Sequence, residues 1–516
     1  MKRVIYIVFV FFVIRGVAKA QIRFDTAFES GSVGSVTLLD SAYLRTSEKD
    51  STLHLSYIVE SRFDPLNPVD TALRPSARWF YFRMTGAKNK YIYFHFKHTD
   101  PLRAVYSYDN RNFTRFAENE AGMRKISKRF ERDTVYIAYF TPYTNTYLQS
   151  RIDAWSRHRD VAVENIGNSF HDRPMPMLTI TDKTVDNSHK RTVWIHGRTH
   201  TSETPGSWQL DGLIDALLAD NEDAETLRQA FIFYIVPFTN PDGVAEGLSR
   251  SNATGVNQEI NWNREDSLTV VEVKNLKRTM AELTALRPFD LMLNMHSQVA
   301  NSATYWVHTA ASTNEKFFGR QMLLCYLNMF GNGYLAPSEL SFSAVAPRYP
   351  EGWLWDNFGD RTVAITLETP YTYYGESQIW VTPENLSDFG KATLQAVAMY
   401  FGVSMPGAIL IDNENAKTRG KWKTESSGKY IYLGDDCLSP QKVGNRITYR
   451  HKKLPAGKYR ILRWKAGANS ETPTPGANQL LPAGTHVQKK TSGFKYKLKA
   501  TSADELFDAL LLLKIM

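Results

Sequence analysis

The chain is 516 residues long with a formal net charge of +9, 43% hydrophobic residues and only two cysteines, which excludes a small disulfide-stapled scaffold and leaves room for about two to four domains with large cores. The charge is uneven: residues 405–516 hold twenty Lys or Arg against nine Asp or Glu, a net +11, so residues 21–404 are net −6. No recognition helix or metal finger accompanies the basic excess, and nucleic acid is therefore not an expected partner.

Met1 to Ala20 has a basic start, an apolar run from Val4 to Ile14 and an Ala18-x-Ala20 ending. That pattern predicts a secretory signal peptide, too short to span a bilayer. The mature product should begin near Gln21 and be secreted or periplasmic, with no transmembrane segment.

Residues 21–150 are rich in aromatic and β-branched residues. Thr52 to Val59, Arg78 to Met84, Tyr91 to Phe96 and Thr134 to Phe140 alternate as strands with one buried face, which predicts an N-terminal β-sandwich. Phe140 to Tyr147 either walls a cleft or packs a domain interface.

From 151 to 404 apolar β-segments alternate with helical patterns, predicting an α/β domain with helices on both faces of its sheet. Helices are expected at Thr204 to Ala219, Val270 to Leu286, Asn314 to Phe330 and Pro383 to Phe401. The apolar run Thr192 to Ile195 ends in Gly197, so His200 and Glu203 fall on a strand-to-helix turn. An imidazole and a carboxylate three positions apart on such a turn can share one zinc ion, given one further His. Alone, a motif this short is a weak signal.

The further His is offered by the strand Phe289 to His296, and a carboxylate by Thr362 to Glu368, which ends before Pro370. Three β-segments thus deliver His, His and Glu at or beyond their C-terminal ends, where open α/β sheets build sites. His196 competes as a ligand, but its place inside a strand favours a structural role. The long connection between Asn301 and Asp360 is expected to shape a cleft rim.

Pro406-Gly407 opens a last segment, 405–516. Gly428 to Leu433, Arg446 to Arg450, Gly457 to Trp464 and Leu506 to Lys514 read as strands of a second β-sandwich. Its basic balance suits either an anionic cell-surface polymer or plain solubility. Cys325 and Cys437 fall in different domains, and a disulfide between them is open.

Taken together these motifs resemble the zinc carboxypeptidases of the funnelin type, in the branch of the cytosolic carboxypeptidases. The resemblance implies a mixed sheet flanked by helices and one zinc ion held by His200, Glu203 and His296, with Glu368 as the general base. Pro237 to Val244 looks like the family's Asn-Pro-Asp-Gly turn, and Asp242 within it is a candidate acceptor behind a ligand histidine. Arg250 falls where the family places an oxyanion-stabilising Arg, and Tyr349 where it has a mobile tyrosine. Phe24 to Gly31, Trp79 to Arg83 and Ala138 to Thr144 are similar to that branch's N-terminal domain. The last segment faintly resembles golvesin-type accessory domains.

One departure bears on substrate. The family's Gly-Val-Asp-Leu-Asn-Arg-Asp-Trp reads here Gly255 to Trp262 without a gap, which puts Glu259 and Ile260 in place of the Asn-Arg clasp for a terminal carboxylate. A four-residue insertion would recover Asn263 and Arg264 instead. Ahead of the base-bearing strand stands Asp356 rather than a basic residue, which speaks against acidic side chains in the pocket. The expected function is a secreted zinc metallocarboxypeptidase acting on peptides, the alternatives being a zinc amidase or endopeptidase on cell-wall peptides and a non-catalytic peptide- or glycan-binding protein.

Overall fold

A computed structural model describes residues 22–515 apart from 48–49, 102–103, 301, 331–338, 375–378, 435 and 472–478. The expected signal segment lies outside the described residues. No described helix is long and apolar enough to cross a membrane.

Two five-stranded sheets form the N-terminal region. One runs Arg23–Asp25, Tyr81–Thr85, Val135–Ala138, Val105–Ser107 and Thr114–Arg115; the other runs Ser35–Ser47, Asp50–Glu60, Tyr91–Lys97, Lys125–Arg129 and Ala121–Gly122. Their facing aromatics interlock, with ring centroids 5.7 Å apart for Phe82 and Phe94 and 5.1 Å for Phe24 and Tyr57. The strand expected from Arg78 begins only at Tyr81. The reason is local: the N–H groups of Arg78 and Trp79 both donate to Ser249 Oγ, at 2.9 and 3.0 Å, instead of to a neighbouring strand.

The central sheet has eight strands: β1 (Val161–Asn168), β2 (Pro174–Ile180), β3 (Arg191–Gly197), β4 (Phe231–Val236), β5 (Leu291–Gln298), β6 (Thr304–His308), β7 (Glu339–Ser343) and β8 (Val363–Pro370), in the order β1-β2-β4-β3-β5-β8-β6-β7. The inner strands β4, β3, β5 and β8 are parallel, while β2 and β6 join them antiparallel. Their sequences read as near-continuous apolar runs because both faces are covered. Val193, Ile195, Leu291 and Leu293 join one core with helices α1 (Thr204–Leu217) and α5 (Pro383–Tyr400), whereas Trp194 and Met292 join a second core with α2 (Val271–Leu283). That alternation is the two-residue period of a strand.

The described part of the connection between Asn301 and Asp360 is largely regular. It supplies β6, β7 and the helices α3 (Glu315–Phe330) and α4 (Pro350–Phe358), extending the sheet beyond β8. The helix expected at Asn314 to Phe330 is α3; buried polar contacts explain why the other elements were not read. Gln321 of α3 caps His308 N–H at 3.0 Å, and Glu351 of α4 takes hydrogen bonds from Asn294 and Thr366 beneath the sheet.

The C-terminal region contains a four-stranded sheet (Ala408–Ile411, Leu510–Ile515, Gly457–Lys465, Gln479–Gln488) and a three-stranded one (Ala416–Arg419, Arg446–Leu454, Ser492–Lys499). Ile409, Ile461 and Leu512 of the first share a core with Ile447, Tyr449 and Phe494 of the second. Cys325 and Cys437 are both buried and unpaired, so no disulfide joins the regions.

Phe140 and Tyr143 seal the boundary between the first two regions rather than lining a cleft. Phe140 meets Tyr371 at 5.7 Å, and the Tyr143 hydroxyl donates to Asp211 Oδ2 at 2.7 Å.

Candidate metal centre

β3 stops at Gly197, and the chain turns through Arg198, whose φ of 59° is the left-handed region that a non-glycine residue occupies only when held. It is held: buried Arg198 donates to Thr201 O at 2.8 Å and Ser207 Oγ at 3.0 Å. The turn delivers His200 and places Glu203 at the N-cap of α1, with Pro205 in the first helical turn where its missing N–H does no harm. Gly206 lets the helix close on β5, since a Cβ there would lie 3.0 Å from the His296 carbonyl oxygen.

His296, on β5, meets them. His200 Nδ1 lies 3.0 Å from Glu203 Oε1, His296 Nδ1 lies 2.9 Å from Glu203 Oε2, and the two Nδ1 atoms are 3.1 Å apart. All three side chains are buried. Their other edges are engaged: His200 Nε2 donates to Asn257 Oδ1 and His296 Nε2 to Glu259 Oε2, both at 3.1 Å. Those outer bonds fix both imidazoles with the Nδ1 lone pairs facing inward, toward each other and toward a carboxylate. Such an arrangement repels unless a cation or proton lies between, and two nitrogens with one oxygen are a zinc donor set. His200, Glu203 and His296 could therefore hold one metal ion.

Glu368 stands opposite His296 in the parallel register of β5 and β8. Its Oε2 is buried and has no hydrogen-bond partner among the described residues. Burial, with the Glu203 carboxylate second, lifts its pKa to about 7. Arg250 NH1 lies 3.6 Å from Glu203 Oε1 with its side chain 43% exposed, so its remaining donors face open space beside the ligands.

The other expected residues are placed differently. Glu259 does not line a pocket: besides taking the His296 N–H, it accepts from Asn294 Nδ2 at 3.0 Å, wholly buried behind the ligand. Asn263 is exposed, and Arg264 points to Asp70 at 3.7 Å, so neither touches the ligand set among the described contacts. Asp356 is on the exposed face of α4, whose buried carboxylate is Glu351. Tyr349 caps α4 under the Arg348 guanidinium, with no described contact to the ligands.

Asp242 serves elsewhere, because Ser169, His171 N–H and Arg173 saturate its carboxylate. Asn257 does the work suggested for it. His196 is structural, accepting the Trp194 indole N–H at 2.9 Å and stacking on Trp262.

Two contributors from the N-terminal region went unread in the sequence. Arg78 NH1 reaches to 3.8 Å from Glu203 Oε1, the same oxygen that Arg250 faces. Asp64 accepts the backbone N–H groups of Ser249, Arg250 and Ser251 at 2.7, 2.8 and 3.0 Å. No local pattern marks either, since both act across a domain boundary. Asn257 had a signal, its position directly after Gly255-Val256.

Comparison with known proteins agrees with this geometry. Residues 148–386 match the zinc carboxypeptidase family, and residues 24–140 match the cytosolic carboxypeptidase N-terminal domain. Human cytosolic carboxypeptidase 6 is 25% identical over 483 residues, covering 85% of this chain and 92% of its own. An uncharacterised protein of Zymomonas mobilis is 29% identical over 212 residues, 38% of this chain and 54% of its own length, so the chain spans about half of that relative. In fold the chain is similar to a metallo-carboxypeptidase from Burkholderia cenocepacia, with a TM-score of 0.61 and 21% identity over 74% of this chain and 98% of that one. It is likewise similar to a Pseudomonas aeruginosa metallo-carboxypeptidase in complex with (2-guanidinoethylmercapto)succinic acid, with a TM-score of 0.57, 20% identity and coverages of 73% and 98%.

Proposed function

The chain belongs to the zinc carboxypeptidases and carries the N-terminal domain of their cytosolic branch, and from that premise we propose that it is an exported metallocarboxypeptidase removing C-terminal residues from peptides. The observation that carries the reading is the convergence of His200, Glu203 and His296 with Glu368 in register beside them.

A zinc ion held by these three residues supplies Lewis-acid chemistry, acidifying water and polarising a carbonyl. Glu368 takes the proton of the attacking water and returns it to the leaving amine, for which a carboxyl with a raised pKa is suited. Arg250 donates hydrogen bonds to the oxygen on which negative charge develops. Export rests on the signal-like start of the sequence, and the basic C-terminal region would hold the enzyme to an anionic cell-surface polymer.

A second reading, hydrolysis of amide bonds in cell-wall peptides that present no free terminus, is favoured by one observation. Neither Glu259, Ile260 nor Arg264 offers a cation beside the ligands, and the two guanidinium groups that stand there, of Arg78 and Arg250, both face Glu203 Oε1, whereas a terminal carboxylate needs a bidentate partner. The deciding experiment is mass spectrometry of products from zinc-loaded protein on peptides with free C-termini, the same peptides amidated, and muropeptides. Cleavage confined to free C-termini supports the carboxypeptidase, whereas equal cleavage of amidated peptides or muropeptides replaces it with the second reading.

A further inference from the structure

The three-stranded C-terminal sheet has one face made of cations. Cross-strand register places Arg419, Arg446 and Lys499 in one row, Lys417, Thr448 and Lys497 in the next, and Arg450 beside Lys495 in a third. The intervening residues Ile447, Tyr449 and Phe494 point into the core. Partnered residues on adjacent strands project to the same side, so all seven cations share the outer face. All seven are exposed, and none makes an ion pair among the described residues. The outward positions in these rows include no Asp or Glu.

Like charges directly opposite one another weaken a sheet. Here the juxtaposition recurs in Arg419 with Arg446, Arg446 with Lys499, and Arg450 with Lys495. Lysines added for solubility alone have no need of such rows, and interspersed acids would relieve them. With strands about 4.8 Å apart and outward residues about 6.8 Å apart along each strand, the cations tile an area of roughly 10 by 14 Å. A linear polyanion lying across it meets several charges at once.

We propose that this face is the docking site for an acidic polysaccharide. The inference rests on the reading of the C-terminal region as an attachment module, and it assigns the surface and the ligand chemistry. Three guanidinium groups suit carboxylate or phosphate oxygens. No aromatic side chain stands among the outward positions, whereas unspecific binders of single-stranded nucleic acid add aromatic platforms on which bases stack. The partner is recognised by its charge spacing, and the contact should weaken steeply with salt.

The test is equilibrium binding of the full zinc-loaded chain to polygalacturonate, followed across salt concentrations. It is repeated with the variant R446Q/R450Q/K495Q/K497Q/K499Q and with the control R111Q/R132Q/R157Q, which removes exposed cations of other regions. The expected result is at least tenfold weaker binding and a shallower salt dependence for the five-site variant alone, with a thermal midpoint no lower than that of the wild type, because the opposed like charges are relieved. Should the wild type bind while the five-site variant binds as tightly, or the control lose as much, the face is wrong and the attachment reading survives. Absence of wild-type binding overturns both. Tighter binding of a single-stranded DNA oligonucleotide than of polygalacturonate overturns the polysaccharide assignment.

Discussion

Asp64 Oδ2 accepts the backbone N–H of Arg250 at 2.8 Å, reaching from the N-terminal region into the loop beside the metal ligands. The same carboxylate takes the N–H groups on either side, so one buried side chain sets the course of three consecutive residues. An amide in its place keeps one acceptor oxygen and turns a donor toward an N–H. Asp64→Asn should lower stability by about 1–3 kcal/mol and reduce kcat more than zinc content, because the Arg250 loop shifts. Denaturant unfolding with zinc stoichiometry and kcat checks this, and an unchanged kcat in a folded variant would separate the clamp from turnover.

Glu368→Gln keeps the size of the side chain and removes its basicity. The variant should bind zinc and fold as the wild type does, yet lose about two to four orders of magnitude in kcat. Thermal unfolding and metal analysis alongside the rate assay distinguish this from misfolding. Retained hydrolysis would take the base assignment away from Glu368.

Glu259 is expected to act through His296 and not on substrate. Removing the acceptor behind a ligand histidine loosens its orientation, and Glu259→Ala should weaken zinc binding by about 10–100-fold. Competition with a chromophoric chelator reads this without any substrate. An affinity equal to wild type would show that His296 is held by its surroundings alone.

Zinc uptake should release a proton from His296. Burial by itself lowers that imidazole's pKa, but Glu259 and Glu203 on either side outweigh it and raise it well above the ordinary 6.5. With a raised pKa, the protonated form stabilises the metal-free fold fully below pH 6.5, and this is lost as pH rises through the raised value. A metal must displace the proton, so zinc affinity should fall as pH falls, with about one proton released from His296 per zinc near neutrality. Calorimetry in buffers of different ionisation enthalpy measures that number, and zero release would contradict the buried proton.

Much of this was legible in the sequence because it depends on local order. The buried strands of the central sheet read as apolar runs; His200 and Glu203 stand on the turn after one strand, and His296 and Glu368 lie two residues before the ends of theirs, which run on to Gln298 and Pro370. What was not legible depends on contacts between distant segments. Arg78 reads as the start of an alternating strand until Ser249 takes its N–H. Glu259 fills a motif position associated with substrate, yet Asn294 and His296 draw it into the interior. Within the connection between Asn301 and Asp360 the helix at Glu315–Phe330 was legible, whereas β6, β7 and α4 were not, since buried polar residues such as Glu351 look like loop composition until their partners are known.

The pairing of His296 with Glu368 across β5 and β8 has a consequence for tolerance to error. Side chains alternate along each strand, so a slip of one residue between these two would carry Glu368, the proposed base, to the far face of the sheet and bring Leu367 or Thr369 beside His296. On the proposed mechanism, correct strand pairing and catalytic competence are therefore one event, and a molecule misfolded by a single step here would be inactive without being unfolded. Quality control of this enzyme by its overall shape would miss that species, while an active-site ligand would find only the correctly threaded one.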